Sequence, residues 1–370
     1  MNQDLHNALS KVIDPELRRP ITELGMLERA EITAGVADIK ILLTIAACPM
    51  REKLNFDVDS AARSVTGVKD VKIEFGAMTQ EQRDNVKTLI RGGKVAVIPF
   101  AQPGSLTRVI GIASGKGGVG KSSVTVNLAV AAAQKGLNVG ILDADVYGHS
   151  VPRLMGIVGA RPTAIDQTFI PVEAYGVKVV SMEMFKPDRA DPVAYRGPLL
   201  HRVLEQLLSD AYWGDLDLLF LDLPPGTGDI AISLGQLIPA SEILVVTTPQ
   251  IAAAEVAERA GRIAHQLKQQ IIGVVENMGD MSCPKCGEKT SLFGQGGGVE
   301  SAKRLSNLIG ADVPLIASIP FTPNLREGGD QGKPIVISEP DSEASKAFAQ
   351  LAEKLGKRSQ SIVGRRLPVS

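Results

Sequence analysis

Gly115, Lys116, Gly117, Gly118, Val119, Gly120, Lys121 and Ser122 stand in the spacing GxxxxGK[ST], which suits one task above others, the holding of a phosphate chain. Glycines without a Cβ let consecutive backbone N–H groups curl round phosphate oxygens, and a helix N-terminus behind them adds a favourable dipole. Lys121 offers a point charge to the β- and γ-phosphates, and the Ser122 hydroxyl is placed to ligate Mg2+, with Ser123 following it into the helix. The apolar run RVIGIAS precedes this loop and an Ala-rich stretch ending near Gly136 follows it, the strand–loop–helix setting that such a loop needs. The expectation is a site for ATP with Mg2+.

Carboxylates accompany it. LDADVYGHS puts Asp143 at the end of an apolar run and Asp145 in the loop beyond, and LLFLDLPPGTGD ends a second apolar run with Asp222. In open α/β sheets ligands bind at the carboxyl ends of the strands, so all three can approach one Mg2+–ATP. A second constellation is Cys283-Pro284-Lys285-Cys286-Gly287. A tight turn points both thiolates the same way, which suits zinc, an iron–sulfur cluster or a redox disulfide. Redox chemistry is disfavoured, since GEKTSLFGQGGG and no helix start follows. A tetrathiolate site needs two more ligands, and the one remaining cysteine, Cys48, lies in a distant segment. Two chains, each giving one CxxC, would supply four thiolates across a two-fold axis.

The elements that must position these residues are legible as short apolar runs. RVIGIAS, LNVGILDAD, LDLLFLDLP, SEILVVTTP, QIIGVVENM and VPLIASIP alternate with helical stretches, the pattern of parallel strands buried on both faces. The fold expected is α/β, a P-loop NTPase with a mainly parallel sheet flanked by helices, plus a small N-terminal α/β domain of αββαβ type. Its bounds are 1–77 for the small domain, 78–106 for a linker, 107–356 for the nucleotide-binding domain and 357–370 for a disordered tail. The 370 residues carry 40 basic and 41 acidic side chains, a net charge of −1. That balance gives no field for nucleic acid or an anionic membrane. No apolar run is long enough to span a bilayer, and three cysteines without a leader-like N-terminus point to a cytoplasmic, reducing setting.

Lys116, just after the first glycine, makes the loop resemble the deviant Walker A of the ATPases that include ParA, MinD and the nitrogenase iron protein. That resemblance implies that Lys116 reaches the nucleotide of a partner subunit, that Asp145 orients the attacking water, and that Asp143 and Asp222 hold the metal through water. It also implies that Asn277, in VENM, meets the adenine. GKGGVGKSS, LDADVYGHS, YRGPLL, DLPPGTGD, VVTTPQ, VENM with CPKCG, and IPF followed by REGGDQGKP together resemble the Mrp/ApbC family of iron–sulfur cluster carrier ATPases over essentially all of 107–340. The N-terminal unit is similar to a SufT-like domain at Asp14-Pro15-Glu16-Leu17, Leu24-Gly25 and the stretch from Thr44 to Cys48-Pro49. The family implies a homodimer that binds a labile [4Fe-4S] cluster between Cys283 and Cys286 of both chains. It implies too that cluster scaffold or assembly proteins act as donors and apo iron–sulfur proteins as recipients. His149 departs from the proline usual at that position. Two rival readings are a zinc-stapled regulatory ATPase and a ParA/MinD-like positioning ATPase. Cys48 is expected in a core rather than among the ligands.

Overall fold

The structure, a computed structural model, describes every residue except 1, 16, 18, 44–50, 80, 83, 84, 87, 88, 90–96, 146, 147, 149, 166, 167, 187–197, 227, 228, 284 and 357–370. Cys48, His149 and the tail from 357 therefore lie outside the described residues. The chain forms two compact units. One takes Met1–Val97 with Pro162–Pro171 and Asp210–Gly214; the other takes Ile98–Arg161, Val172–Ser209 and the chain from Asp215 on.

In the first unit α1 (Gln3–Leu9) starts at Asn2, whose side chain accepts the Leu5 N–H and so satisfies one orphan donor of the first turn. Strands β1 (Leu27–Thr33) and β2 (Val36–Leu43) make an antiparallel hairpin. Ala34 and Gly35 at its tip both take positive φ, 50° and 84°, the turn geometry that matches strand twist. Helix α2 (Arg51–Arg63) then crosses over to β3 (Asp70–Ala77), parallel to β2. Ala37, Ile39 and Ile41 alternate inward along β2, and Leu54, Val58 and Ala62, at helical spacing, join the same core. Arg29, Asp38, Lys40 and Glu74 pair with one another across the sheet. Met78 and Val86, within the stretch expected as a linker, are buried in this core. The Met78 N–H continues the β2–β3 ladder to the Leu43 carbonyl at 2.9 Å, so the chain has not left the unit at residue 78.

The second unit begins with β4 (Arg108–Ser114), followed by α3 (Lys121–Gln134), β5 (Val139–Asp143) and the short α4 (Val151–Leu154). A hairpin, β6 (Thr163–Ile165) and β7 (Thr168–Ile170), leaves it and gives Ile165 and Ile170 to the core of the first unit. The chain returns as β8 (Val172–Ala174), β9 (Val177–Ser181), α5 (Pro198–Ser209), β10 (Leu218–Asp222), α6 (Asp229–Leu237), β11 (Glu242–Thr247) and α7 (Ile251–Gln266). Strand β12 (Gln270–Gly279) leads into a two-stranded hairpin, β13 (Met281–Ser282) and β14 (Lys289–Thr290). Last come α8 (Gly297–Ile309), β15 (Leu315–Pro320), α9 (Pro323–Asp330), α10 (Ile335–Ser338) and α11 (Glu343–Gly356).

Eight strands order as β15-β12-β11-β4-β10-β5-β9-β8, parallel except for the antiparallel β8 edge. Every residue of β5 and β10 is buried, which is why both read as unbroken apolar runs. Ile110 and Ile112 of β4 pack with α3 and α11, whereas Ala113 faces Ala231, Ala260 and Ala264 of α6 and α7. Helices thus cover both faces. The expected parallel strands all form; the β8–β9 ribbon and the β6–β7 hairpin were not anticipated. Helix α3 is buried nearly all round, from Val124 to Ala132, because it is sandwiched between the sheet and α11. The sequence of topology matters for the site: β10 inserts between β4 and β5, so the chain leaves β4 and β10 toward opposite sides, and their carboxyl ends form a crevice.

Candidate functional site

The glycine loop spans the gap between β4 and α3. Gly118 and Gly120 take φ of 81° and 78°, a region in which a side chain is strained. Gly115 has a different constraint: a Cβ there would lie 2.2 Å from the Val256 carbonyl carbon of α7. A Cβ on Gly120 would lie 2.2 Å from the Asn277 amide nitrogen. Loop, α7 and β12 therefore close on one another with no spare volume.

Lys121 heads α3 and its ammonium is 2.7 Å from Asp222 Oδ1, with 6% and 0% of the two side chains exposed. Three further contacts complete a network. The Ser122 hydroxyl donates to Asp222 Oδ2 at 2.5 Å, the Thr125 hydroxyl donates to Oδ1 at 2.7 Å, and Lys121 Nζ is 3.4 Å from Ser122 Oγ. Asp222 sits opposite Asp143 in the β10–β5 register. Asp143 accepts the Ser181 hydroxyl at 3.0 Å and the Asp145 N–H at 3.2 Å. Burial, and then the neighbouring Asp222 charge, push its carboxyl up to about 8. Two buried carboxylates side by side with one hydroxyl form an all-oxygen donor set that a hard cation relieves, so these residues fit Mg2+. Asp145 is 8% exposed, and its Oδ1 accepts the Gly148 N–H at 3.0 Å. The Ser150 hydroxyl donates to the Gly148 carbonyl at 2.7 Å and lies 3.3 Å from Ser122 Oγ.

Asn277 is buried at the loop's other flank. Its Nδ2 donates to the Val119 carbonyl at 2.9 Å, while Oδ1 is buried without a partner among the described residues, leaving one acceptor and one N–H uncommitted there. Lys116 is half-buried, and its Nζ donates to Gln250 Oε1 at 3.0 Å.

The cysteines sit elsewhere in the fold's hierarchy. Met281 pairs with Thr290 and Ser282 with Lys289, and the turn between them is closed by the Cys283 N–H to Glu288 carbonyl at 2.9 Å and the Gly287 N–H to Cys283 carbonyl at 2.8 Å. Gly287 takes φ of 76°, as such a turn requires. Cys283 is half-buried and Cys286 exposed. Hydrogen bonds from the backbone of Cys286 and Lys285, and from the Cys286 side chain, hold the Cys283 thiol below its usual range. Among the described residues, no group of three or more Cys, His, Asp or Glu side chains is placed to hold a metal ion.

The structure thus gathers Lys121, Ser122, Asp143 and Asp222 in one network, seats Asn277 against the loop, and places Cys283 and Cys286 on the hairpin that continues Asn277's strand. Sequence reasoning missed Thr125, Ser150 and Ser181. Helical spacing was the available signal for Thr125, four residues after Lys121 and on the same face; the others needed the strand order.

Comparison with known proteins follows the same division. Residues 105–356 match the family described as NUBPL iron-transfer P-loop NTPase, and residues 2–75 match the family described as iron–sulfur cluster assembly protein. The iron–sulfur cluster carrier protein of Mycobacterium tuberculosis strain H37Rv is 52% identical over 366 residues, covering 98% of this chain and 95% of its own. That of Deinococcus radiodurans is 42% identical over 374 residues, covering 100% of both. Among solved structures, the nucleotide-binding protein of Archaeoglobus fulgidus in complex with ADP aligns at a TM-score of 0.55 and 35% identity, over 66% of this chain and 93% of that one. No described helix is long and apolar enough to cross a membrane.

Proposed function

The chain belongs to the NUBPL iron-transfer P-loop NTPase family, and from that premise we propose that it is an ATP-hydrolysing iron–sulfur cluster carrier of the cytoplasm. It takes a [4Fe-4S] cluster from a scaffold or assembly protein, holds it as cargo between two copies of itself, and passes it to apoproteins. One observation carries this reading above the others. The strand whose Asn277 touches the phosphate loop leads, within six residues, into the hairpin that carries Cys283, so the two chemistries are adjacent along the chain.

In this reading the loop from Gly115 to Ser123 wraps the phosphates with its N–H groups, and Lys121 swings from Asp222 to the β/γ-phosphates. Ser122, Asp143 and Asp222 would hold Mg2+, the two carboxylates through water. When bound, the metal neutralises charge on the β- and γ-phosphates. Asp145, held by the Gly148 N–H, orients the attacking water. Asn277 offers its Oδ1 and second N–H to the adenine. Lys116 exchanges Gln250 for the phosphates bound by the partner subunit, supplying charge where it develops in the transition state. Cys283 and Cys286 give two thiolates, and a cubane requires four, so a homodimer completes the cargo site.

The test is anaerobic reconstitution of the purified chain with iron and sulfide. The expected product is a brown dimer with about four irons and four sulfides, able to restore activity to an apo [4Fe-4S] dehydratase. Stoichiometric zinc that iron and sulfide fail to displace would overturn the carrier reading in favour of a structural staple.

A further inference from the structure

The hydroxyl of Ser150 reaches the nucleotide site from a different segment, and the roles above leave it unused. It comes from the loop after β5 yet lies 3.3 Å from Ser122 Oγ, on the first turn of α3. Counting protons shows what kind of contact this is. The Ser122 proton goes to Asp222 at 2.5 Å, and the Ser150 proton is best placed for the Gly148 carbonyl at 2.7 Å. A hydroxyl has one proton to give, so Ser150 shares it between the Gly148 carbonyl at 2.7 Å and Ser122 Oγ at 3.3 Å, and its lone pairs stay beside those of Ser122. Octahedral Mg2+ with bonds of about 2.0–2.1 Å sets neighbouring ligands roughly 2.9 Å apart. The spacing of the two hydroxyls is within a few tenths of an ångström of that edge.

We propose that Ser150 supplies a second protein hydroxyl to the nucleotide's divalent cation, beside Ser122, and that the same residue positions Asp145 through Gly148. The inference rests on the assignment of the nucleotide site. A chain of bonds links the two roles: Ser150 to the Gly148 carbonyl at 2.7 Å, then the Gly148 N–H to Asp145 Oδ1 at 3.0 Å. A Cβ on Gly148 would lie 3.3 Å from Asp145 Oδ2, so a side chain at 148 would crowd that carboxylate. Metal binding and the aiming of Asp145 become one step. Ser150 is a ligand to the cation and a positioning residue for Asp145.

The experiment is a titration of the full-length chain with Mn2+ in the presence of ADP, followed by electron paramagnetic resonance, for wild type, Ser150→Ala and Ser150→Thr. Thermal unfolding of the three metal-free proteins serves as a fold control. Ser150→Ala is expected to weaken Mn2+ binding in the ADP complex by roughly 10–100-fold, the range for lost ligands or their close supports. ADP affinity measured in EDTA should stay within about threefold of wild type, and Ser150→Thr, which keeps the hydroxyl, should restore most of the Mn2+ affinity. Mn2+ affinity in Ser150→Ala equal to wild type would overturn the proposal and leave Ser150 as a loop-bracing hydroxyl. Wild-type protein that binds ADP but shows no ADP-dependent Mn2+ site would overturn it too. Wild-type protein that binds no ADP would instead bring down the nucleotide assignment on which it stands.

Discussion

The phosphate loop and the cysteine hairpin are built on opposite principles. The loop's chemistry is assembled from five segments, β4, α3, β5, β10 and β12, with Asp143 and Asp222 both fully buried. The hairpin's chemistry comes from ten consecutive residues, 281–290, and its ladder has two register pairs. A buried network holds each member because every neighbour would be left unsatisfied without it. A local turn holds its thiols mainly through its own backbone and the neighbouring thiol. The first construction suits a site that must present the same geometry at each turnover; the second suits one that must give its ligand up.

That contrast is open to attack, and the largest effect should come from Lys121→Ala. ATP hydrolysis, followed as phosphate release, should vanish. Removing one member of a buried ion pair costs about 3–5 kcal/mol in the general case, so the unfolding midpoint should fall as well. Hydrolysis at the wild-type rate would break the nucleotide side of the comparison.

Cys286→Ala should produce an equally complete loss of a different kind. Bound iron after reconstitution should drop to background, with nucleotide binding retained and stability changed by no more than about 0.5 kcal/mol, as for other exposed sites. Full iron occupancy in this variant would put the ligands elsewhere. A large loss of stability would show the hairpin to be more than a local turn.

Lys116→Ala sharpens the comparison, because Lys116 is half-buried like Cys283 but belongs to the loop. Nucleotide should still bind while turnover falls, by up to about 10³-fold if the lysine stabilises transition-state charge. Mixing it with Asp145→Ala chains tests action across the dimer: mixed dimers with no more activity than either parent would rule that out.

The smallest effect is expected for Thr125→Val, which keeps the volume and deletes one donor to Asp222. A loss of about 1–3 kcal/mol is anticipated, seen as a lower unfolding temperature with the ATPase reduced but present. An unchanged midpoint would mean that Lys121 and Ser122 alone satisfy the carboxylate.

What was legible in the sequence depended on whether the relevant residues are neighbours along the chain. The loop could be read because its eight residues are contiguous, and the strands because burial on both faces leaves unbroken apolar runs such as LLFLD. The placement of Asp143 beside Asp222 could not, since 79 residues separate them and only the insertion of β10 beside β5 brings them together. Asn277 could be read as part of VENM, but its bond to the Val119 carbonyl spans 158 positions. The β8–β9 ribbon was missed because VEA and VKVVS are short and interrupted by Tyr175 and Gly176, which take φ of 51° and 76°. Met78 and Val86 were misplaced for a related reason. Their polar surroundings read as a linker, while the ladder bond to Leu43 keeps Met78 in the core.

Strand β12 has a consequence in length. From Asn277 to Cys283 is six residues, at most about 20 Å of extended chain, and Met278 between them takes φ of 61°. If the strand holds the two at anything near that reach, the phosphates and the thiolates stand more than twice the roughly 8 Å screening distance of physiological salt apart. Charge lost at one end is then faint at the other. What remains to carry a message is displacement: β12 is laddered to β11 and β15 as far as Gly279, so a shift at Asn277 reaches the cysteine hairpin through the few residues that follow.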